Sequence, residues 1–216
     1  IAAGRLNDAE KKLLVVQKTF EFSPVLDRIH ADLAGQRGDL KEREKWLTAA
    51  RLRTEPAKAQ QLVEEIAVTR FEQGNWVGCI DALEDEALKD SAKSTELVRL
   101  RARCLLMMDR ARDARDLMLT LRTQTDGDGR NASVLGLAAM RIGDTARMLD
   151  AGHILTQARP ESADGWVLLG VAAMQNGDRA EAVRLLSEAN KREPNKKLPK
   201  QLLAAASSVA IARAAP

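Results

Sequence analysis

The sequence predicts an all-α protein built from repeated pairs of antiparallel helices. Residues that favour turns recur every 34–36 positions, and prolines close several of the repeated units. Between the turns, apolar residues follow the spacing of an amphipathic helix and not the alternation of a strand. The turn positions are Gly4, Gly38, Gly74, Asp109, Gly143 and Gly177. The 216 residues accommodate about five full repeats with a half-repeat at each end.

Each repeat is predicted to contain two helices of about 12–15 residues, and the turn residue ends the first helix with a positive φ. Small residues recur seven positions before the turn, where two helices cross closely. These are Ala31, Ala67, Ala102, Gly136 and Gly170. A second set follows five positions after the turn, with Arg43 as its exception: Ala9, Cys79, Ala114, Met148 and Ala182.

The period predicts an order of segments along the chain. Residues 1–23 form the second helix of a truncated repeat, which predicts that the natural protein begins upstream of Ile1. Five repeats follow at about 24–58, 60–93, 95–128, 129–162 and 163–196. Residues 197–216 form a C-terminal capping helix, although its apolar outer face also fits a further repeat or a docking surface.

Composition excludes several classes of protein. Hydrophobic residues make up 45% and charged residues 30% of the chain, which predicts a globular fold. No apolar run approaches the ~20 residues of a membrane span. Aromatic residues are only 3%, too few for base-stacking platforms or an aromatic-lined ligand pocket.

The two cysteines, Cys79 and Cys104, are too few for a disulfide framework and lie in no metal-ligand spacing. We expect two small buried thiols, and the sequence leaves open whether they pair. Because no targeting segment is visible either, the sequence predicts no compartment.

The unit 163–196 resembles the tetratricopeptide repeat family. At that family's Trp, Leu, Gly, Tyr, Gly, Asp, Ala, aromatic, Ala and Pro positions it carries Trp166, Leu169, Gly170, Ala173, Gly177, Asp178, Ala182, Leu186, Ala189 and Pro194. The preceding unit keeps much of the pattern but has Met148 and Gly152 where Ala and a large residue are usual. The resemblance implies a right-handed superhelical solenoid whose first helices line a concave groove.

That register predicts the residues that face the groove. Methionine adapts to apolar side chains of varied shape and arginine holds carboxylates, so the groove fits an amphipathic helix or extended peptide with acidic flanks. The alternative is that the methionines and leucines pack internally between repeats. The predicted partner-binding residues are Arg99, Arg103, Leu106, Met107, Arg130, Leu137, Met140, Arg141, Val171 and Met174.

The family's carboxylate clamp needs a Lys and Asn pair in a first helix. Arg28 with Asp32, and Arg99 with Arg103, occupy the equivalent spacings, so this mode is not predicted.

Catalytic and metal-binding patterns find little support. His30 and His153 lie in different units without recurring ligand partners. The segment 126–129 begins like a calcium loop, but Arg130 follows and Leu137 occupies the twelfth position, so we interpret it as a linker. We therefore predict no enzyme, no cofactor, no metal and no small-molecule substrate.

Two basic clusters raise the question of nucleic-acid binding, since the pI is about 9.0. They comprise Arg99, Arg101, Arg103, Arg110, Arg112 and Arg115, and Lys191, Arg192, Lys196, Lys197 and Lys200. Aspartates interleave with the first cluster at salt-bridge spacings, which favours solvated charged faces over a nucleic-acid site.

The predicted function is a non-catalytic scaffold or adaptor that holds a protein segment in its groove. The resemblance also points to assembly of a bacterial envelope, pilus or secretion complex. The alternative is a structural spacer or oligomerisation module from a larger repeat protein, self-associating through its terminal helices.

Overall fold

The computed structural model describes residues 8–9, 11–13, 15–16, 18, 20, 23–89, 94–121 and 127–214, and every regular element in these ranges is helical. This confirms the all-α prediction. The chain divides into two compact units, residues 1–108 (unit 1) and 109–216 (unit 2). Short 3-10 turns occupy Pro56–Lys58 and Glu86–Leu88. The α-helices of residues 23–214 that the structure describes are α1 (Pro24–Gln36), α2 (Leu40–Leu52), α3 (Gln60–Glu72), α4 (Trp76–Ala82), α5 (Thr95–Met107), α6 (Ala111–Leu119), α7 (Arg130–Ile142), α8 (Thr145–Ala158), α9 (Asp164–Gln175), α10 (Arg179–Arg192) and α11 (Lys197–Ala214).

In unit 1, each helix from α1 to α5 packs against the next, and short turns make the paired helices antiparallel. Ala31 and Ala67, predicted at close helix crossings, are fully buried in the core beside Leu47. The carboxylate of Asp27 is also buried, and it pairs with the guanidinium of Arg53.

In unit 2, the helices from α6 to α11 pack in the same consecutive order. One part of its core contains Met148, Leu155 and Leu168, and another contains Leu169 and Leu186. Each helix buries an apolar face against the helices before and after it, which explains why α9 is apolar on most of its circumference.

The predicted turn residues adopt the left-handed backbone conformation. The φ angles are 74° at Gly38, 79° at Gly74, 59° at Asp109, 73° at Gly143 and 79° at Gly177. Only glycine adopts this conformation without strain, so the recurrence of glycine in the sequence reflects the backbone geometry of each turn.

The polar residue after the turn caps the second helix in four of the described pairs. The carboxylate of Asp39 accepts a hydrogen bond from the backbone N–H of Glu42 at 3.0 Å, and Asp178 does the same with the N–H of Glu181 at 3.0 Å. Arg110 occupies this position before α6 and makes no side-chain cap. The turn and the cap together explain why Gly-Asp recurs with the period.

Glycines inside the helices of unit 2 make room for leucines of the neighbouring helix. A Cβ on Gly170 would lie 2.7 Å from Cγ of Leu186, as expected for a small residue at a close crossing. A Cβ on Gly152 would lie 2.7 Å from Cγ of Leu169. The unusual glycine at 152 is therefore compensated by a leucine from α9 that occupies the vacated space.

Some predicted features lie outside the described residues, namely Gly4 and Asp126. Of the predicted helix in residues 1–23, the described parts 8–9, 11–13 and 15–16 are helical, and Leu13 is buried. The repeat boundaries and the capping role of α11 remain predictions. No helix among the described residues combines the length and apolarity that crossing a bilayer requires.

Candidate functional site

An open apolar cavity lies along the first helices of successive pairs in unit 2. Helix α9 contacts both α7 and α11, and side chains from all three helices border a cavity of about 280 Å³. We call it the first-helix cavity. It is lined by Ser133, Leu137, Met140, Leu155, Ala163, Asp164, Val167, Leu168, Lys196, Leu198 and Pro199.

The walls of the first-helix cavity combine buried and solvent-exposed apolar side chains. Val167 and Leu168 are buried, whereas Leu137 is 39% and Leu198 is 46% exposed. The volume is slightly below the ~300–1,000 Å³ of typical small-molecule pockets. The cavity therefore fits side chains projecting from a polypeptide better than a whole drug-sized molecule.

Two larger cavities of unit 2, of about 420 and 480 Å³, differ in chemistry. One is bordered by α6, α7 and α8 and includes Arg147 and Asp150, and the other includes Glu181 and Arg184. In both, the charged side chains already pair with each other, at 2.7 Å and 2.5 Å. The first-helix cavity is the better candidate because exposed apolar surface, not paired charge, dominates its lining.

Two charged side chains, Asp164 and Lys196, form a rim of the first-helix cavity, and Glu193 binds to this rim from outside the lining. Nζ of Lys196 lies 2.9 Å from Oε2 of Glu193 and 3.2 Å from Oδ1 of Asp164. The hydrogen bond to Glu193, followed by that to Asp164, raises the pKa of the Lys196 ammonium. Glu193 also accepts the backbone N–H of Ala163 at 2.7 Å, so it joins the start of α9 to the end of α10. The rim is thus a fixed ionic network beside an apolar opening.

The residues predicted for unit 2 divide into two groups. Leu137 and Met140 line the first-helix cavity. Val171 and Met174 do not, because they are half-buried against the two apolar clusters of the core. The groove interpretation and the core-packing interpretation therefore each describe part of the predicted apolar residues. The predicted arginines of this unit, Arg130 and Arg141, are exposed.

The residues predicted for unit 1 also differ in environment. Arg99 is mostly buried and pairs with a glutamate one turn earlier at 3.3 Å. The guanidinium of Arg103 lies 4.4 Å from the ring centroid of Phe71, a cation–π contact between α5 and α3. Met107 is 50% exposed, but Leu106 is only 2% exposed. The side chain of Leu106 therefore packs in the core and is not exposed to a partner in this structure.

Of the predicted partner-binding residues, only Leu137 and Met140 line the cavity. Leu198 and Pro199 were not predicted to contribute, because the helix that carries them was interpreted as a cap. The 34-residue period of the sequence is sufficient to predict the contribution of this helix. Asp164 lines the first-helix cavity, and the position 34 residues later is Leu198. Carrying the register one step further would have placed the start of α11 at the cavity.

The histidines have separate environments. His30 is buried and its ring stacks on Trp46 with 4.3 Å between centroids, whereas His153 is exposed. Across the part of the chain that the structure describes, no three side chains of His, Cys, Asp or Glu are grouped so that they could hold a metal ion.

The arginine cluster around residue 110 is neutralised locally. Arg110 pairs with Asp113 at 2.6 Å, and Arg115 pairs with Asp116 at 2.7 Å and with Asp144 at 3.4 Å. Hydrogen bonding to Asp116, followed by that to Asp144, raises the pKa of the Arg115 guanidinium. These pairs favour the interpretation of a solvated charged face.

Solved structures share this geometry. The chain is similar to YrrB, described as a TPR protein with an unusual peptide-binding site, with a TM-score of 0.71 and 15% identity over 88% of this chain and 96% of that one. MamA from Desulfovibrio magneticus RS-1 gives 0.71 and 16% over 81% and 97%, and PilF from Pseudomonas aeruginosa gives 0.70 and 14% over 94% and 91%. No protein-family model and no curated protein sequence matches the chain.

The chain therefore has the tetratricopeptide-repeat fold, which confirms the resemblance drawn from its sequence.

Proposed function

We propose that the chain is a scaffold or adaptor that binds a segment of a partner protein in the first-helix cavity. The observation that carries this proposal is an apolar opening framed by three successive first helices, with Leu137 and Leu198 left exposed. Burying one large apolar side chain is worth about 1.5–3 kcal/mol. A segment that buries an apolar side chain against these two leucines gains energy of this order from its own side chain, and a smaller part from the leucines, which are already half-buried.

Basic side chains next to the cavity, outside the rim network, set the preferred flanks of the segment. Lys197 and Lys200, in the first turn of α11, are exposed beside the cavity residues Leu198 and Pro199. A carboxylate on the ligand would interact with these ammonium groups. We therefore propose a short amphipathic helix or extended peptide whose apolar side chains are followed by Asp or Glu.

Binding without catalysis fits the lining of the cavity. Its polar side chains are Ser133, Asp164 and Lys196, and the last two are already paired with each other. YrrB, the similar protein described as having a peptide-binding site, supports a peptide ligand by analogy of fold. Assembly of a bacterial envelope, pilus or secretion complex remains a prediction from the family resemblance, as does self-association through the terminal helices.

The test is selection of a displayed random-peptide library on the purified chain, followed by fluorescence-anisotropy titration of the selected peptides. We expect enrichment of apolar residues flanked by Asp or Glu. The variant Leu137→Glu should weaken binding about tenfold or more, since it places a charge where an apolar side chain is seated. Lys200→Glu should weaken binding by a few-fold, and more at low salt.

Matched controls separate the cavity from the rest of the surface. Val77→Glu changes an exposed apolar residue of α4 and Lys41→Glu an exposed cation of α2, so both should leave the affinity unchanged. Equal loss in Leu137→Glu and Val77→Glu would contradict the assignment of the site. No enrichment of any peptide on the folded chain would favour the alternative of a structural spacer.

A further inference from the structure

The two cysteines of the chain meet in the core of unit 1. Cys79 lies on α4 and Cys104 on α5, and both are fully buried free thiols. Their Sγ atoms are 2.7 Å apart. A disulfide has an S–S distance of about 2.05 Å, so the two sulfur atoms need to approach by less than about 1 Å to bond.

We propose that Cys79 and Cys104 form an intramolecular disulfide on exposure to a hydroperoxide, and that this bond fastens α4 to α5. The sequence left their pairing open, since they are separated by 25 residues and lie in no redox motif. It is the packing of the two helices that brings the sulfur atoms together.

The position of the pair gives the bond a structural consequence. Helix α4 has only seven residues, whereas the other α-helices of the described ranges have nine or more. A short helix has less surface with which to hold the next helix. Joining Cys79 to Cys104 closes the chain between the second helix of one pair and the first helix of the next, which restricts the unfolded state.

The surroundings of the thiols favour one of them as the nucleophile. The hydrogen bond between the two sulfur atoms lowers the pKa of Cys104, and the neighbouring charge of Arg103 acts in the same direction. The same hydrogen bond, together with burial, raises the pKa of Cys79. Cys104 is therefore the thiol that ionises first, and Cys79 keeps its proton.

The reaction balances with the hydroperoxide as oxidant. Because both thiols are buried, the hydroperoxide reaches them when α4 and α5 transiently separate. The Cys104 thiolate then attacks one peroxide oxygen, the O–O bond breaks, and Cys104 becomes a sulfenic acid while hydroxide, or alkoxide, leaves and takes up a proton. Cys79 sulfur then attacks the Cys104 sulfur, and the S–O bond breaks. Water leaves with the proton from Cys79. Two thiols are oxidised and one peroxide is reduced.

The experiment treats the purified chain with hydrogen peroxide and then alkylates it in denaturant before proteolysis and mass spectrometry. We expect one cross-linked peptide pair that contains positions 79 and 104, lighter by two hydrogen masses than the sum of the reduced peptides. The oxidised protein should melt on the order of 10 °C above the reduced protein, as estimated for a loop of this length.

The variant Cys79→Ala is the control, because Ala9, Ala114 and Ala182 occupy the same place in other repeats and an alanine there is compatible with folding. Peroxide should leave the melting temperature of Cys79→Ala unchanged. Because the methionines of this variant are exposed to the same peroxide, it also controls for methionine oxidation. Two alkylated cysteines in the treated wild type, or oxidised sulfur without a cross-link, would overturn the proposal. So would an equal rise in melting temperature for Cys79→Ala.

Discussion

Replacing Gly165 by alanine tests the close packing of α9 on α8. Gly165 is buried near the start of α9, and a Cβ there would lie 2.8 Å from the backbone N of Thr156 and 2.9 Å from the backbone O of Gly152. Both atoms belong to the backbone of α8, which cannot yield as a side chain would. One helix must therefore shift away from the other.

The expected magnitude follows from two opposing effects. Alanine in place of glycine inside a helix gains up to about 1 kcal/mol. Overpacking a core typically costs about 1–3 kcal/mol, and contacts with two backbone atoms place this substitution at the upper end. The net loss is about 2 kcal/mol, which lowers the melting temperature of a unit of this size by about 10 °C.

The assay is thermal and urea unfolding followed by circular dichroism, with Gly35→Ala as the matched control. Gly35 is also helical, but the atom closest to its added Cβ is Cδ of the flexible Arg43 side chain at 3.2 Å. Gly35→Ala should melt within a few degrees of the wild type or above it. If Gly165→Ala melts at or above the wild-type temperature, the close approach of the two helix backbones is refuted.

Three further experiments test polar interactions. The hydrogen bond from Arg51 lowers the pKa of Asp85, so the stability it adds is complete above the unfolded-state pKa, near 4, and is lost as pH falls through the folded value. Melting temperatures measured from about pH 6 to pH 2 should fall more steeply for the wild type than for Asp85→Asn, and parallel curves would contradict this. Asp178→Ala removes the cap of α10 and should cost about 1 kcal/mol in urea unfolding, whereas an unchanged midpoint would show that the cap adds nothing. Arg53→Met removes the partner of the buried Asp27 and should cost about 1–3 kcal/mol, and the double variant with Asp27→Asn should recover part of that loss.

Local features of the fold were predictable because the chemistry that produces them is local. A turn that requires a positive φ selects glycine, and the helix that follows it selects a capping aspartate, so Gly143-Asp144 and Gly177-Asp178 mark two such turns directly. Gly170 contacts a leucine of the next helix, and it was predictable because small residues recur at a constant offset from the turn.

The candidate site was only partly predictable. Leu137 and Met140 were identified from the helical register, and the structure places both in the lining of the first-helix cavity. Leu106 has the same register as Met140 and is also apolar, yet it is buried. The register predicts the direction in which a side chain points from its own helix. How closely the neighbouring helices pack around that side chain decides whether solvent reaches it.

By itself, the sequence determined the helical class, the turns, the caps and the period, because each depends on residues within a few positions or on regular repetition. Tertiary structure alone decided which side chains share a space. Leu137 and Leu198 border one cavity although 61 positions separate them, and Cys79 meets Cys104 across two helices. These contacts depend on the length of each helix and on how closely it packs against the next helix. Small differences in that packing do not appear in the periodic pattern of the sequence.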